Sequence, residues 1–400
     1  MFKPIALRAF LAVSLTPFLH PQAARPQARN ESPQEVRRSL HTLPITKFYD
    51  TTNLAAGKPG ELIRSRQFDE YYLPEDVIAV RILYHSRSAD NHHVPVSGVV
   101  LYPYGKAPAG GWPVIAWAHA ANGVARQCAP SLARNLQHGP FLAMYVKLGY
   151  AVVATDYAGL GAASRNAFAD AQSNAINVID SVPAARAAVP GLSAKWVAVG
   201  TAEGGSVAVA VDERERELRD ANYLGSVVIS GLDDPQGRYN SSSPATFCES
   251  PLFLAYGIKT VFPEFDPKEI LTDKGLSLYS NVDQSCGEPR SAEISSSEML
   301  KSNWASNKFV KQYYGQNALG QQPAQAAILV IVGELNPTIP AQTTGQVVAR
   351  MCKQGDRVEV QRYHSSDSLT VFGDSVRDQI SWIQARFAGK QAERNCDAQH

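Results

Sequence analysis

Short apolar runs alternate with longer stretches of helical character along most of this 400-residue chain. Five runs rich in β-branched and small apolar residues predict buried strands: Val114–Ala118, Ala151–Asp156, Trp196–Gly200, Ser226–Ser230 and Ile328–Val332. The intervening and following stretches predict helices: residues 166–189, 204–220, 341–354 and 374–388. Because strands alternate with helices, the pattern predicts an α/β fold with a mostly parallel sheet flanked by helices.

A long excursion separates two late strands of this predicted sheet. It covers about residues 235–322. Loops at the carboxyl ends of parallel strands surround the binding site in such folds, so we predict a cap or lid here. Earlier in the chain, Val77–His85 and Val94–Leu101 predict a hairpin. We therefore expect one domain over residues 45–389, followed by a C-terminal tail at 390–400.

The N-terminus has the pattern of a signal peptide. Lys3 and Arg8 precede the apolar stretch Ala9–Leu19, and the small residues Ala23 and Ala24 follow it. We expect residues 1–24 to be a signal peptide and residues 25–44 a flexible leader, which predicts a secreted protein, extracellular or periplasmic. The apolar stretch is too short to span a bilayer and no later segment approaches 18 apolar residues, so no transmembrane segment is expected.

Charge and composition narrow the classes of partner. The chain has 38 basic and 37 acidic residues, a formal charge of +1, and 44% hydrophobic residues. It can therefore bury a substantial core, and without a strongly basic surface nucleic acid is not an expected partner. The oligomeric state stays open.

Five cysteines fit an exported protein with two disulfides and one remaining thiol. The sequence leaves their connectivity open; one arrangement pairs Cys352 with Cys396, and Cys128 with a cysteine of the predicted cap, Cys248 or Cys286. No two cysteines have the C-x-x-C spacing of a zinc site, so no metal and no cofactor is predicted.

The stretch Gly200-Thr201-Ala202-Glu203-Gly204-Gly205 follows a predicted strand and begins a predicted helix. This is the setting of a nucleophile elbow, whose glycines let strand and helix pass closely. The helix N-terminus and the N–H after the nucleophile then stabilise an oxyanion. Ala202 stands where the nucleophile belongs, and its methyl group cannot be activated by any base. A glycine-rich turn of another doubly wound fold is the alternative interpretation.

Several further segments bear on the choice between these interpretations: Pro113–His119, Cys128–Ser131, Gly149–Tyr157 and Trp382–Phe387. With the elbow, they resemble the secreted lipases of fungi and bacteria, and the resemblance extends over about residues 45–389. This family consists of α/β-hydrolases that act on acylglycerols and other esters. The resemblance implies an α/β-hydrolase fold with an inserted cap, and a lipid or small ester as ligand.

The chain departs from the family pattern at the catalytic positions. The family elbow reads Gly-His-Ser-Gln-Gly-Gly, so the resemblance places Ala202 in the nucleophile slot and Asn336 in the acid slot. Ser368 falls in the histidine slot. Asp367 competes with Ser368 for that slot, and His364 lies four residues earlier.

The oxyanion region changes as well. The family's His-Gly-Thr segment becomes His119-Ala120-Ala121, and Glu203 follows the nucleophile slot. We expect His119 to brace its loop through a hydrogen bond.

Three functions remain open. The first is an inactive hydrolase that binds an acyl chain or ester. The second is a lyase or cyclase-type enzyme in which Glu203, kept ionised by the helix dipole, acts as the base. The third is ester hydrolysis by a relocated nucleophile, Thr201 or Ser206. The charge run at residues 212–217 is interpreted as a solvated helix face.

Overall fold

The computed structural model describes residues 42–88, 90–232, 251–284, 286, 295–336, 339, 341–368 and 370–396. The predicted signal peptide, most of the predicted leader and Cys248 lie outside these residues. Nine strands are found in the described part: β1 (Leu62–Gln67), β2 (Val77–Arg87), β3 (His93–Pro103), β4 (Trp112–Ala118), β5 (Ala151–Thr155), β6 (Leu192–Thr201), β7 (Tyr223–Ile229), β8 (Ala327–Gly333) and β9 (Val358–Tyr363).

The strands form one sheet in the order β1-β2-β3-β5-β4-β6-β7-β8-β9. Strands β4 to β9 run parallel to their neighbours, whereas β1, β2 and β3 are antiparallel and β3 joins the rest against β5. The predicted hairpin is therefore confirmed as β2–β3, with Val80 opposite Val100. The carboxyl ends of β4, β6, β7 and β8 lie side by side along one edge.

The described part contains ten helices: α1 (Gly139–Lys147), α2 (Ala171–Ala188), α3 (Glu203–Leu218), α4 (Pro251–Val261), α5 (Asp273–Tyr279), α6 (Ser296–Met299), α7 (Lys308–Gln316), α8 (Ala341–Gln354), α9 (Val371–Asp374) and α10 (Val376–Phe387). Helices α2, α3 and α8 bury apolar residues against one face, including Val178, Val209 and Val347. Helices α1 and α10 cover the other face with residues such as Leu142 and Ile383. Among the described helices, none is long and apolar enough to cross a membrane.

Helix α2 begins later than the helical pattern predicts. The Asp170 side chain accepts a hydrogen bond from the backbone N–H of Ser173, which satisfies an end of the helix that has no intrahelical partner. Residues 166–170 are consequently a loop. This loop matters for the site because Ala169 contacts Glu203.

The insertion between β7 and β8 has an apolar cluster of its own. Helices α4 and α7 bury Leu254, Ile258 and Tyr313 in it, and the cluster reaches the sheet domain at Val124 and Phe168. The hydroxyl of Tyr313 donates to the carbonyl of Phe168. The described part of the insertion is thus packed on loops that follow β4 and β5.

The interpretation of residues 212–217 as a solvated face is wrong for three of the acidic side chains. Asp212, Glu213 and Glu215 are buried, with exposed fractions of 0%, 7% and 1%. Asp212 accepts from the backbone N–H of Ala326 at 2.7 Å, and Glu213 accepts from that of Gly320 at 2.7 Å. Burial raises the pKa of each of the three carboxyls to about 7. Asp212 and Glu213 hold the segment leading into β8 against α3, a role that local charge patterning does not reveal.

Both expected disulfides are present. Cys352 is bonded to Cys396, and Cys128 is bonded to Cys286. The second bond joins the loop after β4 to the insertion, 158 residues later in the chain. A neighbouring hydrogen bond, from Nε2 of Gln127 to the carbonyl of Gln284, connects the same two segments at 2.9 Å.

Candidate functional site

The turn between β6 and α3 has the strained geometry of a nucleophile elbow. Ala202 adopts φ 50° and ψ −122°, a conformation that costs a non-glycine residue about 1–3 kcal/mol. A Cβ added to Gly200 would lie 1.8 Å from the carbonyl oxygen of Gly204. One added to Gly204 would lie 2.0 Å from the carbonyl oxygen of Ala118, at the end of β4. The glycines are therefore required for strand and helix to pass at this distance.

The end of β7 closes the elbow from the other side. A Cβ on Gly231 would come within 1.9 Å of the carbonyl oxygen of Ala202, and the backbone N–H of Ala202 donates to the carbonyl of Ile229 at 3.2 Å. As the first residue of α3, Glu203 has a backbone N–H without an intrahelical acceptor. This N–H is where an α/β-hydrolase elbow places an oxyanion donor.

No hydroxyl replaces the missing serine at the tip of the turn. The Ala202 side chain is half-buried and has no polar atom. Ser206 lies one turn into the helix, and its Oγ donates to the carbonyl of Gly231 at 2.8 Å. Thr201 is buried at the end of β6. Neither residue occupies the elbow position from which a nucleophile attacks.

His119 is buried directly after β4 and braces its loop. Its Nδ1 lies 2.6 Å from the carbonyl oxygen of Ala120, and its Nε2 lies 3.2 Å from that of Asp156. The ring stacks on Tyr157 with centroids 4.0 Å apart, and the Tyr157 hydroxyl donates to the His119 carbonyl. Burial lowers the pKa of His119 to about 4. A neutral imidazole carries one N–H and donates to only one of these carbonyls; Nδ1 also lies 2.9 Å from Nδ2 of Asn122, and these contacts together support the bracing role.

Glu203 does not match the expectation of a carboxylate kept ionised by the helix dipole. Its Oε1 accepts from the backbone N–H of Ala169 at 3.2 Å and from Nδ2 of Asn174 at 3.1 Å. Burial raises the pKa of Glu203 to about 7 despite these donors, and the nearby carboxylate of Asp170 adds to the effect. Its two donors lie in the loop before α2 and in α2 itself, and desolvation at this place raises the pKa of the carboxyl.

The residue that the family pattern predicts for the acid slot, Asn336, has a neutral side chain. Asn336 is buried in the loop after β8, and its Nδ2 donates to Oγ of Ser230 at 2.8 Å. Its Oδ1 accepts from the backbone N–H of Ile339 at 3.1 Å. These contacts orient the loop but supply no negative charge to stabilise an imidazolium.

The family pattern predicts Ser368, in the loop after β9, for the histidine slot. Ser368 stands there half-buried, and the adjacent Asp367 accepts at Oδ1 from the N–H and hydroxyl of Thr370. Asp367 therefore caps a local turn. A Cβ on Gly333 would lie 2.9 Å from the Asp367 carbonyl, so this loop runs beside the end of β8.

The alternative base His364 has a partner on the surface. Its side chain is 78% exposed, and Nδ1 lies 2.6 Å from Oε2 of Glu334. Glu334 also contacts Arg362 at 3.6 Å. The structure thus brings Ala202, Glu203, His119 and Asn336 to the ends of neighbouring strands, but His364 pairs outward with Glu334.

Within the described residues, no group of three or more histidine, cysteine, aspartate or glutamate side chains could hold a metal ion. The contacts that sequence reasoning missed are those of Tyr157, Asn174 and Ser230. Each of these residues contacts the site through a partner that is distant in the sequence, so no short sequence motif predicts the contact.

Two solved structures superpose on most of this chain. LipA, a rice cell wall degrading esterase from Xanthomonas oryzae, superposes with a TM-score of 0.67 at 19% identity, covering 83% of this chain and 98% of that chain. Lipase A of Candida antarctica in its closed state superposes with a TM-score of 0.71 at 16% identity, covering 89% and 90%. The fold is the α/β-hydrolase fold.

The sequence comparison agrees with this fold. The model of the secretory lipase family matches residues 268–395, which include Asn336 and Ser368, the residues that the family pattern predicts for the acid and histidine slots. No curated protein matches the chain. The similarity to the secretory lipase family therefore begins inside the insertion between β7 and β8 and continues almost to the C-terminus, and the elbow is assigned by its geometry.

Proposed function

We propose that this α/β-hydrolase is a secreted protein that binds an acyl ester or acyl chain at its elbow without hydrolysing it by serine chemistry. The observation that carries the proposal is the strained turn at Ala202, with φ 50°, in a site that lacks a nucleophile. The backbone N–H of Glu203, the first residue of α3, has no intrahelical acceptor and can donate to a carbonyl oxygen. A carbonyl ligand is therefore recognised by the oxyanion geometry, while covalent attack is excluded at residue 202.

The second and third triad positions support the same proposal. Asn336 and Ser368 offer neither a carboxylate nor an imidazole. No triad base is therefore present at these positions to activate a water molecule for attack on the bound carbonyl. Loss of the whole triad costs a serine hydrolase about 10⁶-fold in kcat. The two disulfides and the similarity to a secretory family support an extracellular or periplasmic location.

The experiment pairs a binding measurement with a turnover measurement. Thermal unfolding is followed with octanoate, decanoate and tributyrin, and p-nitrophenyl butyrate hydrolysis is followed with the same protein sample. We expect a concentration-dependent rise in Tm with the acyl ligands and hydrolysis at the rate of buffer alone. An unchanged Tm with all three ligands contradicts binding, and hydrolysis far above buffer contradicts the missing chemistry.

A second candidate function rests on Glu203. Its carboxyl has a pKa of about 7 and is held in place by Ala169 and Asn174, so it is suited to accept or release a proton near neutral pH. A lyase or cyclase that mainly positions its substrate needs no nucleophile. If such an activity is found by substrate screening, Glu203→Gln should abolish it while leaving acyl-ligand stabilisation in place.

Relocated nucleophiles have less support. The hydroxyl of Ser206 is committed to the carbonyl of Gly231, and Thr201 is buried at the end of β6. Labelling of either residue by a fluorophosphonate probe would favour ester hydrolysis over both other functions.

A further inference from the structure

Two histidine rings meet at the turn end of the β2–β3 hairpin. Nδ1 of His85 lies 2.5 Å from Nε2 of His93, and the ring centroids are 4.8 Å apart with an interplanar angle of 45°. In the ladder His85 is opposite Pro95 and His93 is opposite Arg87, so the two histidines occupy diagonal positions on neighbouring strands. Long side chains at such positions can reach each other. One nitrogen of each ring is therefore aimed at the same point.

The backbone holds His85 in place. Its N–H donates to the carbonyl of Glu61 at 2.9 Å, and its carbonyl accepts from the N–H of Gly60 at 2.8 Å. A Cβ added to Gly57 would lie 2.3 Å from Cδ2 of the ring, so the loop before β1 packs directly against it. His85 is 7% exposed, whereas His93 is half-buried at the start of β3. One ring is thus fixed, and the other can adjust and is reached from solvent.

The facing nitrogens have the chemistry of metal ligands. A neutral imidazole has one N–H and one nitrogen with a free lone pair. Burial lowers the pKa of His85 below its ordinary 6.5, and the adjacent His93 ring adds to the effect, so the His85 ring is neutral at pH 7. Between the two rings alone, a single N–H can be shared. A metal ion placed there accepts a lone pair from both nitrogens, and neutral imidazole is the commonest metal ligand in proteins.

We propose that Nδ1 of His85 and Nε2 of His93 bind a divalent transition-metal ion of the group Cu²⁺, Ni²⁺ and Zn²⁺. Imidazole suits these ions, whereas Ca²⁺ and Mg²⁺ prefer oxygen ligands. In the described part of the chain, no group of three histidine, cysteine, aspartate or glutamate side chains forms a larger metal site. Water therefore completes the coordination shell. The ion joins the two strands of the hairpin at its turn end.

A small movement of one ring accommodates the ion. Zn–N bonds are about 2.0–2.1 Å long, so two nitrogens of a tetrahedral site lie about 3.3 Å apart. The facing nitrogens of His85 and His93 are 2.5 Å apart and must separate by about 0.8 Å. Because His85 is held by the backbone and by Gly57, the half-buried ring of His93 is the one that turns.

The charges around the pair permit a cation. The Glu61 carboxylate acts on the His85 ring and favours a positive charge there. Arg87 is opposite His93 in the ladder, but its Nη1 donates to Oδ1 of Asn91 at 2.6 Å. This contact directs the arginine charge to the hairpin turn.

His92 provides the matched control for His93. It is the adjacent residue, its side chain is 79% exposed, and its Nδ1 lies 2.5 Å from Oδ2 of Asp90. A second ligand held in place raises an affinity by about 10²–10⁴-fold, so His93→Gln should weaken metal binding by at least about 10²-fold. His92→Gln should leave the affinity unchanged. Since His93 is half-buried, its replacement is not expected to prevent folding, and the Tm of the metal-free protein checks this.

Binding is measured by calorimetry on the untagged full chain after treatment with a chelator. CuCl₂, NiCl₂, ZnCl₂ and CaCl₂ are added in separate titrations. We expect wild type and His92→Gln to bind one equivalent of transition metal, with Cu²⁺ bound more tightly than Ni²⁺ or Zn²⁺, and Ca²⁺ not to bind. Pulsed electron paramagnetic resonance of the Cu²⁺ complex should show two coordinated imidazoles in wild type, and this signature should be lost in His93→Gln.

The absence of binding by all three transition-metal ions would overturn the proposal. Unchanged affinity in His93→Gln, or an equal loss in His92→Gln, would overturn it as well, because the ion would then have other ligands. Equal binding of Ca²⁺ would contradict a site made of imidazole nitrogens. The titrations use no acyl ligand or ester and change no residue of the elbow, so a failure here is distinguishable from a failure of the proposed function.

Discussion

Nδ2 of Asn336 lies 2.8 Å from Oγ of Ser230 and donates a hydrogen bond to it. Ser230 directly follows Ile229, whose carbonyl accepts from the N–H of Ala202. Asn336, in the predicted acid position, is therefore linked to the elbow through an amide and a hydroxyl group. The loop after β8 is held in place, but the charge that a triad needs is absent.

Restoring the serine alone should restore no activity. Ala202→Ser places a hydroxyl on the elbow, but a serine hydroxyl needs an adjacent base to attack an ester. We predict that this variant is not labelled by a fluorophosphonate probe and hydrolyses p-nitrophenyl butyrate no faster than wild type. Labelling of the single variant would show that another base survives near residue 202.

Rebuilding the three triad slots together should produce activity. In the triple variant Ala202→Ser, Asn336→Asp, Ser368→His, we predict fluorophosphonate labelling and ester turnover at least about 10³-fold above the single variant, because triad residues act as a unit. The double variant without the histidine is the matched control and should stay unlabelled. If the triple variant is folded but equally inert, residue 368 is not the histidine slot.

The strain at the elbow can be measured as stability. Ala202→Gly removes a side chain from a backbone at φ 50°, so relief of strain should exceed the entropy cost of glycine and raise the free energy of unfolding by about 1 kcal/mol. Ala385→Gly, within helix α10, is the control and should lower it by about 1 kcal/mol. Urea titration of both variants decides the matter, and equal destabilisation by the two changes would mean that Ala202 is unstrained.

The carboxyl of Glu203 should give a measurable pH dependence. Its folded-state pKa is raised by burial from an ordinary 4.5 to about 7, so between these values the folded protein holds a proton that the unfolded chain releases. This group therefore makes the free energy of unfolding fall as the pH rises through about 7. Glu203→Gln removes that contribution, and the variant should lose less stability than wild type between pH 5 and pH 8.

Urea unfolding at the two pH values tests this expectation. Glu217→Gln removes an exposed carboxylate from the same helix and serves as the control. Asp212, Glu213 and Glu215 remain in both variants, so their shared contribution cancels in the comparison. A Glu203→Gln protein with the wild-type pH dependence would mean that Glu203 is ionised throughout, as the helix dipole alone would require.

The bond between Cys128 and Cys286 should stabilise the insertion more than any local contact. It closes a loop of 158 residues, and native disulfides of this kind contribute about 2–5 kcal/mol. We predict that replacing both cysteines with serine lowers the Tm and exposes residues 251–322 to limited proteolysis before the sheet domain is cut. The corresponding double change at Cys352 and Cys396 should leave the insertion resistant, and early cleavage there in both variants would argue against a specific tether.

Prediction from sequence succeeded where a feature is local. Apolar runs and the glycines around Ala202 were enough to predict the strands and the elbow. A buried strand and a tight turn each require a short, recognisable pattern of residues in the sequence. The buried acids at Asp212 and Glu213 were misinterpreted, since a charged run is normally solvated and their partners lie in the segment before β8. The pKa of Glu203 was misjudged for the same reason: Ala169 and Asn174 come from another element, and desolvation there opposes the dipole.

The most direct test of binding without hydrolysis is intact-protein mass spectrometry in a single-turnover reaction. Wild-type protein is mixed in excess with p-nitrophenyl butyrate at pH 7.5, and the release of p-nitrophenol is followed in parallel. We predict an unchanged protein mass and no burst above buffer, with Ala202→Ser behaving in the same way. An added butyryl mass together with a burst of p-nitrophenol would contradict the central claim, because it would prove that a nucleophile of this chain attacks the ester.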